Sequence, residues 1–372
     1  MKASGLSTAA APIADASVWH GKDLAANADW VDAFDGGETA ALMAALDSVR
    51  KRGLRPHQVR RTDFAVPSLR NRFLEISRQL EHGRGFALIR GLPLEGLSDE
   101  DCKLLFWGFG MQVGMPVCQN KRQDFITEVK DTGEKMGEPT IRAYRAAGPL
   151  RFHTDQCDVL GLMCIRGSAS GGQSKIASAT AVYNEILARR PDYLGLLCQP
   201  YHFSQQGEEA PHEKPWYTRP VFDPNGGRFT TLFTRSYIES AQKIEGVPPL
   251  TPEQDEASRY VAEVADELSF TMELGRGDIQ LFNCHVTYHA RTNYEDHPEP
   301  EKKRTLVRLW MAVPNSRPLP AYVETYWGQP AAGALRGGVW HPSGQRFAFA
   351  DWQAGGWMPE DIEAWKGATA TT

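Results

Sequence analysis

The chain has 372 residues, 41% hydrophobic and 23% charged, a balance that supplies a packed core and excludes wholesale disorder. Net charge is −5, with 41 basic against 46 acidic residues and no Lys/Arg block, which disfavours a nucleic-acid partner held by bulk charge. No apolar run approaches the ~18 residues of a membrane span, and the six cysteines form no C-x-x-C pair, so reduced thiols in a cytoplasmic protein are expected.

Residues 1–25 read as a flexible leader, Ala-rich, broken by Pro12 and Asp15 and too weakly apolar for a secretory signal. Residues 38–51 place Leu42, Met43, Ala45, Leu46 and Val49 at helical spacing and stop at Gly53. Residues 68–80 set Leu69, Phe73, Ile76 and Leu80 on one helical face. Residues 86–90 form a short apolar strand closed by Gly91 and Pro93. Ser98, with Asp101 three positions on, caps a helix running toward Phe109. Residues 159–165 read as another strand, and 221–234, turning at Pro224-Asn225-Gly226-Gly227, as a hairpin. Thr251-Pro252-Glu253-Gln254 combines an N-cap, Pro at N1 and Gln at N3, predicting a helix to about Leu268. Residues 269–274, 278–282 and 304–313 look like further strands. Helices before and within a set of antiparallel strands indicate an α+β fold around a closed or sandwiched β core. The expected organisation is one domain over 26–318, with the Gly-, Pro- and Trp-rich 319–372 wrapped over it and frayed at its end.

Arg151-Phe152-His153-Thr154-Asp155 contains H-x-D. Side chains two apart on a strand point the same way, so His153 and Asp155 are placed to grip one ion. Alone this is weak, since chance gives roughly one H-x-D/E in such a composition, and His297-Pro298-Glu299 is a second, discounted as a loop. Downstream, Gly277-Asp278 leads through Cys284-His285-Val286-Thr287-Tyr288-His289-Ala290-Arg291, and then Arg304-Thr305-Leu306-Val307-Arg308-Leu309-Trp310 follows. Strand parity cannot separate His285 from His289. Arg304 and Arg308 share a parity on their predicted strand, and guanidinium groups suit carboxylates.

An H-x-D, a distant His, the His-Ala-Arg-Thr element and the Arg-x-x-x-Arg-Leu-Trp element together resemble the taurine dioxygenase / 2,4-dichlorophenoxyacetate dioxygenase family over residues 83–318. These are Fe(II)- and 2-oxoglutarate-dependent oxygenases, so the resemblance implies a double-stranded β-helix (jelly-roll) core. It also implies non-heme iron with 2-oxoglutarate and O2 as cosubstrates, release of succinate and CO2, and oxidation of a substrate C–H bond. Two imidazoles and one carboxylate on one face of an octahedral Fe(II) leave three positions open for that chemistry. By resemblance His153, Asp155 and His289 are the iron ligands, with His285 the runner-up to His289. The carboxylate Asp155 favours hydroxylation over halogenation, because related halogenases carry a small residue there. Gly171-Gly172-Gln173-Ser174 resembles the family's Gly-Gly-Asp-Thr turn. It implies that Ser174 helps Arg304 hold the distal carboxylate of 2-oxoglutarate, with Arg308 on the cosubstrate or on an acidic group of the substrate. The acidic insert 295–301 lengthens the interval from His289 to Arg304.

Residues 114–120 lie where relatives place a substrate loop, and Gln119, Arg142, Tyr144, Gln156 and Arg308 are the candidate substrate contacts. Trp216 and Tyr217 either cap a pocket or pack. Cys157 and Cys164 read as small buried residues. The expected partner is a small carboxylate- or amino-acid-like molecule, and relatives commonly form homo-oligomers. Two other classes use the same motif: a zinc hydrolase built on the His/Asp/His site, and a non-catalytic jelly-roll binding protein.

Overall fold

The computed structural model describes residues 11–133, 147–209, 213–224, 228–339 and 344–368. The chain from Leu150 onward passes back and forth between two facing sheets. Leu150–His153, Ser174–Ser178 and Thr287–Arg291 belong to the smaller sheet, while Val159–Arg166, Ile279–Asn283 and Thr305–Ala312 belong to the larger. That alternation is the jelly-roll topology the sequence implied. The larger sheet runs Val31–Ala33, Phe86–Arg90, Ile279–Asn283, Val159–Arg166, Thr305–Ala312, Met115–Pro116, and Ile126–Val129 also pairs with Thr305–Ala312. Its pairs are antiparallel except Val31–Ala33 beside Phe86–Arg90. The smaller sheet runs Phe270–Met272, Ser174–Ser178, Thr287–Arg291, Leu150–His153, all antiparallel.

Every residue of Thr305–Ala312 is buried, because one face meets the opposite sheet and the other meets the helix Asp99–Val113. That helix is apolar nearly all round, from Leu104 to Val113, as a helix enclosed on all sides must be. It lies close enough to the sheet that a Cβ on Gly110 would stand 2.6 Å from Leu309 Cδ1. Ser98 caps it with Asp101 reciprocating, a box that contributes about 1 kcal/mol. The helices Gly36–Lys51 and Arg70–His82 complete this layer. The first of them starts two residues before the predicted 38, on a capping box between Asp35 and Glu38. On the outside of the smaller sheet lie Ala179–Arg189, Pro191–Leu197 and Pro252–Glu267. The last carries the predicted Thr251/Gln254 box. The predicted hairpin forms through Phe222–Asp223 paired with Thr230–Thr231, its tip lying outside the described residues.

One expectation about the ends needs correction. The leader does not extend to residue 25. From residue 13 the chain is fixed: the Ile13 backbone exchanges hydrogen bonds with the Asn184 amide, Trp19 donates to the Arg84 carbonyl and stands edge-on to Phe86, and Gly21–Ala26 is a helix. Short apolar anchors, too sparse for a periodicity signal, hold it. The C-terminal segment packs against the core on both sides. Trp327, Trp357 and Trp365 are fully buried, and the latter two stack under the Arg61 guanidinium.

Candidate active site

Thr287–Arg291 pairs with Leu150–His153 so that His289 stands directly opposite His153, their ring centroids 4.1 Å apart. His153 ends its strand, and the chain then leaves the sheet. Thr154 is pinned there by its amide donating to the Phe233 carbonyl at 2.8 Å and its hydroxyl accepting from the Phe233 amide. Asp155 is therefore presented by a fixed turn and not by strand parity, which corrects the warrant drawn from the H-x-D spacing. The donor atoms of His153, Asp155 and His289 lie within 4.8 Å of one another.

His153 and Asp155 are held in the forms that bind a cation. His153 Nδ1 lies 2.8 Å from the Arg151 carbonyl. A carbonyl only accepts, so Nδ1 carries the proton and Nε2 keeps its lone pair. Burial, reinforced by His289, pushes the His153 pKa down to about 4, so the ring is neutral at pH 7. Burial would raise the Asp155 carboxyl, but Arg308 and the two histidines outweigh it and hold the group well below the ordinary carboxylate range. Asp155 Oδ2 is 2.9 Å from His289 Nε2, and Oδ1 accepts from Arg308 Nη1 at 3.2 Å. Phe282 stacks on the other side of His289 at 5.3 Å. Two imidazoles, one ionised carboxylate and fixed outer partners fit a divalent metal such as Fe(II).

From this cluster a cavity runs between the sheets. His153, Ser174, His289, Arg291, Arg304 and Arg308 supply its polar lining, and Val129, Leu150, Leu162, Leu274 and Leu306 its apolar walls. Ser174 donates to Gln280 Oε1 at 2.8 Å and follows a turn in which Gly171 and Gly172 have φ of 68° and 72°. The insert at 295–301 is folded back: Asp296 Oδ1 accepts from the Arg304 amide at 2.6 Å, so the longer interval still delivers Arg304 to the cavity. Arg304 Nη1 is buried and has no hydrogen-bond partner among the described residues.

Other candidates lie elsewhere. His285 is not on the strand that carries His289, because the chain crosses between sheets at 284–286. It points into a separate buried network, with Nε2 2.9 Å from Asp158 and Nδ1 2.9 Å from Thr230 Oγ1. Gln119 is 2% exposed and is committed to protein, which corrects its reading as a substrate contact. Its oxygen accepts from Arg308 Nε, and its amide donates to the Arg308 and Phe125 carbonyls. Residues 114–120 are all buried and hence not a surface loop. Gln156 donates to the Tyr217 hydroxyl and lines a small second cleft with Gln205, Glu208, Glu213 and Tyr237. Tyr217 packs, stacked between Phe203 and Tyr326. Arg142 and Tyr144 lie outside the described residues. Cys157 and Cys164 are buried, with burial pushing both thiols up. Arg291 had no assigned role although it lines the cavity, and its position two residues after His289 on one strand face was a usable signal.

Residues 51–310 match the model of the taurine catabolism dioxygenase TauD, TfdA family. FR-33289 synthase of Streptomyces rubellomurinus is 30% identical over 332 residues, 86% of this chain and 96% of that protein. Two solved structures share the fold. Asparagine oxygenase in complex with Fe(II), 2S,3S-3-hydroxyasparagine and succinate has a TM-score of 0.60 at 17% identity, covering 76% of this chain and 93% of its own. The non-heme iron oxygenase OrfP in complex with Fe and alpha-ketoglutaric acid has a TM-score of 0.57 at 13% identity, with the same coverage. Among the described residues no helix is long and apolar enough to cross a membrane. The chain belongs to the TauD/TfdA family and is an Fe(II)- and 2-oxoglutarate-dependent dioxygenase.

Proposed function

We propose that this dioxygenase hydroxylates a C–H bond of a small amino-acid-like substrate, with His153, Asp155 and His289 holding Fe(II). The observation that carries this reading is the convergence of those three donors, within 4.8 Å, beside a cavity lined by His153, His289 and Arg304, whose Nη1 has no partner among the described residues. Bound iron with 2-oxoglutarate supplies the oxidising chemistry, and the cosubstrate leaves as succinate and CO2. Arg304 and the Ser174 hydroxyl face the cavity where they meet the distal carboxylate. Arg308, committed to Asp155 and Gln119, fixes the carboxylate ligand and brings positive charge to the acid end of cosubstrate or substrate. The leucine-rich walls exclude water, which keeps the oxidant from being spent off target.

The substrate class draws support from the asparagine oxygenase complex, which holds a hydroxylated amino acid. The test is spectroscopic first. Fe(II) and then 2-oxoglutarate are added to the protein without oxygen. A weak visible charge-transfer band is expected, absent in His153→Ala and Asp155→Ala and retained in His285→Gln. Oxygen and an amino-acid panel then reveal the substrate by succinate formation and a product heavier by one oxygen. Absence of the band with iron bound sinks the reading.

A further inference from the structure

Arg291 and Arg304 approach one ring. Their guanidinium carbons lie 4.7 and 5.0 Å from the centroid of Tyr294. Both arginines are 5% exposed, and both line the cavity that contains Ser174, His153 and His289. They arrive from different directions. Arg291 sits two residues beyond His289 on the strand Thr287–Arg291, so it leans to the same side as the histidine. Arg304 comes from the start of Thr305–Ala312 in the opposite sheet, held by Asp296 on its amide.

Two guanidinium groups in one apolar-walled cavity repel each other. The ring face of Tyr294 offsets part of this repulsion, as aromatic faces do for cations. Arg291 anchors to the Gly148 carbonyl through Nη2, while Arg304 Nη2 reaches the Gly172 carbonyl only at 3.5 Å and its Nη1 is unpartnered. An unpartnered guanidinium nitrogen on a residue nineteen-twentieths buried asks for an anion. A carboxylate there meets two fixed cations, more than one anchoring arginine needs.

We infer that Arg291 is a second cationic anchor for the distal carboxylate of the cosubstrate, acting beside Arg304, and that the pair makes the site selective for 2-oxo acids with a carboxylate at the far end. This rests on the cosubstrate reading above. It assigns Arg291 a binding role and the Arg291–Tyr294–Arg304 group the task of discriminating dicarboxylate from monocarboxylate 2-oxo acids.

The test compares 2-oxoglutarate with 2-oxopentanoate, which has the same chain length and lacks the distal carboxylate. Each is titrated without oxygen into the Fe(II) protein, following the charge-transfer band. Arg291→Gln is expected to weaken 2-oxoglutarate at least tenfold and to leave 2-oxopentanoate within twofold, with Arg291→Lys intermediate for 2-oxoglutarate. Equal weakening of both acids, or an unchanged 2-oxoglutarate Kd, overturns the inference. If Arg291→Gln does not fold, Arg291→Lys decides by the same comparison: selective weakening supports the inference and no change overturns it. Failure of the wild-type protein to give a band with either acid removes the cosubstrate reading and the inference together. A normal wild-type band with an indifferent Arg291 variant removes the inference alone.

Discussion

Asp155 is shared between two partners, one on each oxygen: Oδ1 accepts from Arg308 Nη1 at 3.2 Å and Oδ2 lies 2.9 Å from His289 Nε2. Arg308 is in turn set by Gln119, whose oxygen accepts from Nε at 2.8 Å. The carboxylate is thus oriented through a chain of buried contacts before any cation binds. Outer partners of this kind typically govern metal affinity by about 10–100-fold. Gln119→Leu is expected to weaken Fe(II) binding within that range and to cost about 1–3 kcal/mol of stability, the penalty for a buried donor without its acceptor. Anaerobic Fe(II) titration and urea unfolding check both. Unchanged values in both would show that Arg308 needs no support.

The buried pair His285–Asp158 predicts a pH effect on the metal-free protein. Burial lowers the folded-state His285 pKa to about 4, against an ordinary value of 6.5. The folded ring therefore stays neutral where the unfolded ring protonates. Between pH 6.5 and 4 the unfolded state binds more protons, so stability falls as pH falls through that window, by up to about 1.4 kcal/mol per pH unit from this residue. His285→Gln is expected to flatten that part of the profile. A slope identical to wild type in thermal or urea unfolding across the window contradicts the assignment.

Arg336 ties the C-terminal segment to the core. Its Nε donates to Asp158 Oδ1 at 2.8 Å, its Nη2 donates to the Arg317 carbonyl at 2.6 Å, and both residues of the ion pair are essentially inaccessible. Breaking one side of a buried pair strands the other charge, at a cost of about 3–5 kcal/mol. Arg336→Met is expected to destabilise by that amount, and Arg336→Met with Asp158→Asn by clearly less. Calorimetry on the single and double variants reads the difference, and equal losses would refute it.

Gly277 turns the chain into Ile279–Asn283 with φ of 82°, and a Cβ there would stand 1.9 Å from the Leu92 carbonyl oxygen. The left-handed conformation alone costs a side chain about 1–2 kcal/mol, and here backbone cannot move aside cheaply. Gly277→Ala should lose at least ~2 kcal/mol in urea unfolding, whereas Gly91→Ala, with nothing within 4 Å of its Cβ, should lose only the conformational share.

Much of this molecule could be read along the chain. The helices begun by Ser98 and Thr251 and the strands at 86–90, 159–165, 278–282 and 304–313 were legible because their signals are local: caps, periodicity and turn residues. The helix Ala179–Arg189 escaped notice, since its Ser178 cap lies inside an apolar run that continues from the preceding strand. The strand Thr287–Arg291 was read too long, since strand parity was applied from His285 onward, whereas the structure begins it at Thr287.

The sequence by itself determined the family, through an H-x-D, a distant histidine and two spaced arginines whose chemistry suits one metal and one dicarboxylate. The resemblance preferred His289 to His285, and the tertiary structure supplied the physical reason: a three-residue crossing between sheets sends one toward Asp155 and the other toward Asp158. The tertiary structure alone turned Gln119 inward onto Arg308 and brought Arg291 and Arg304 to the same ring. The physical reason is that each of these contacts joins segments far apart in the chain, and closure of the two sheets over one cavity decides which side chains meet.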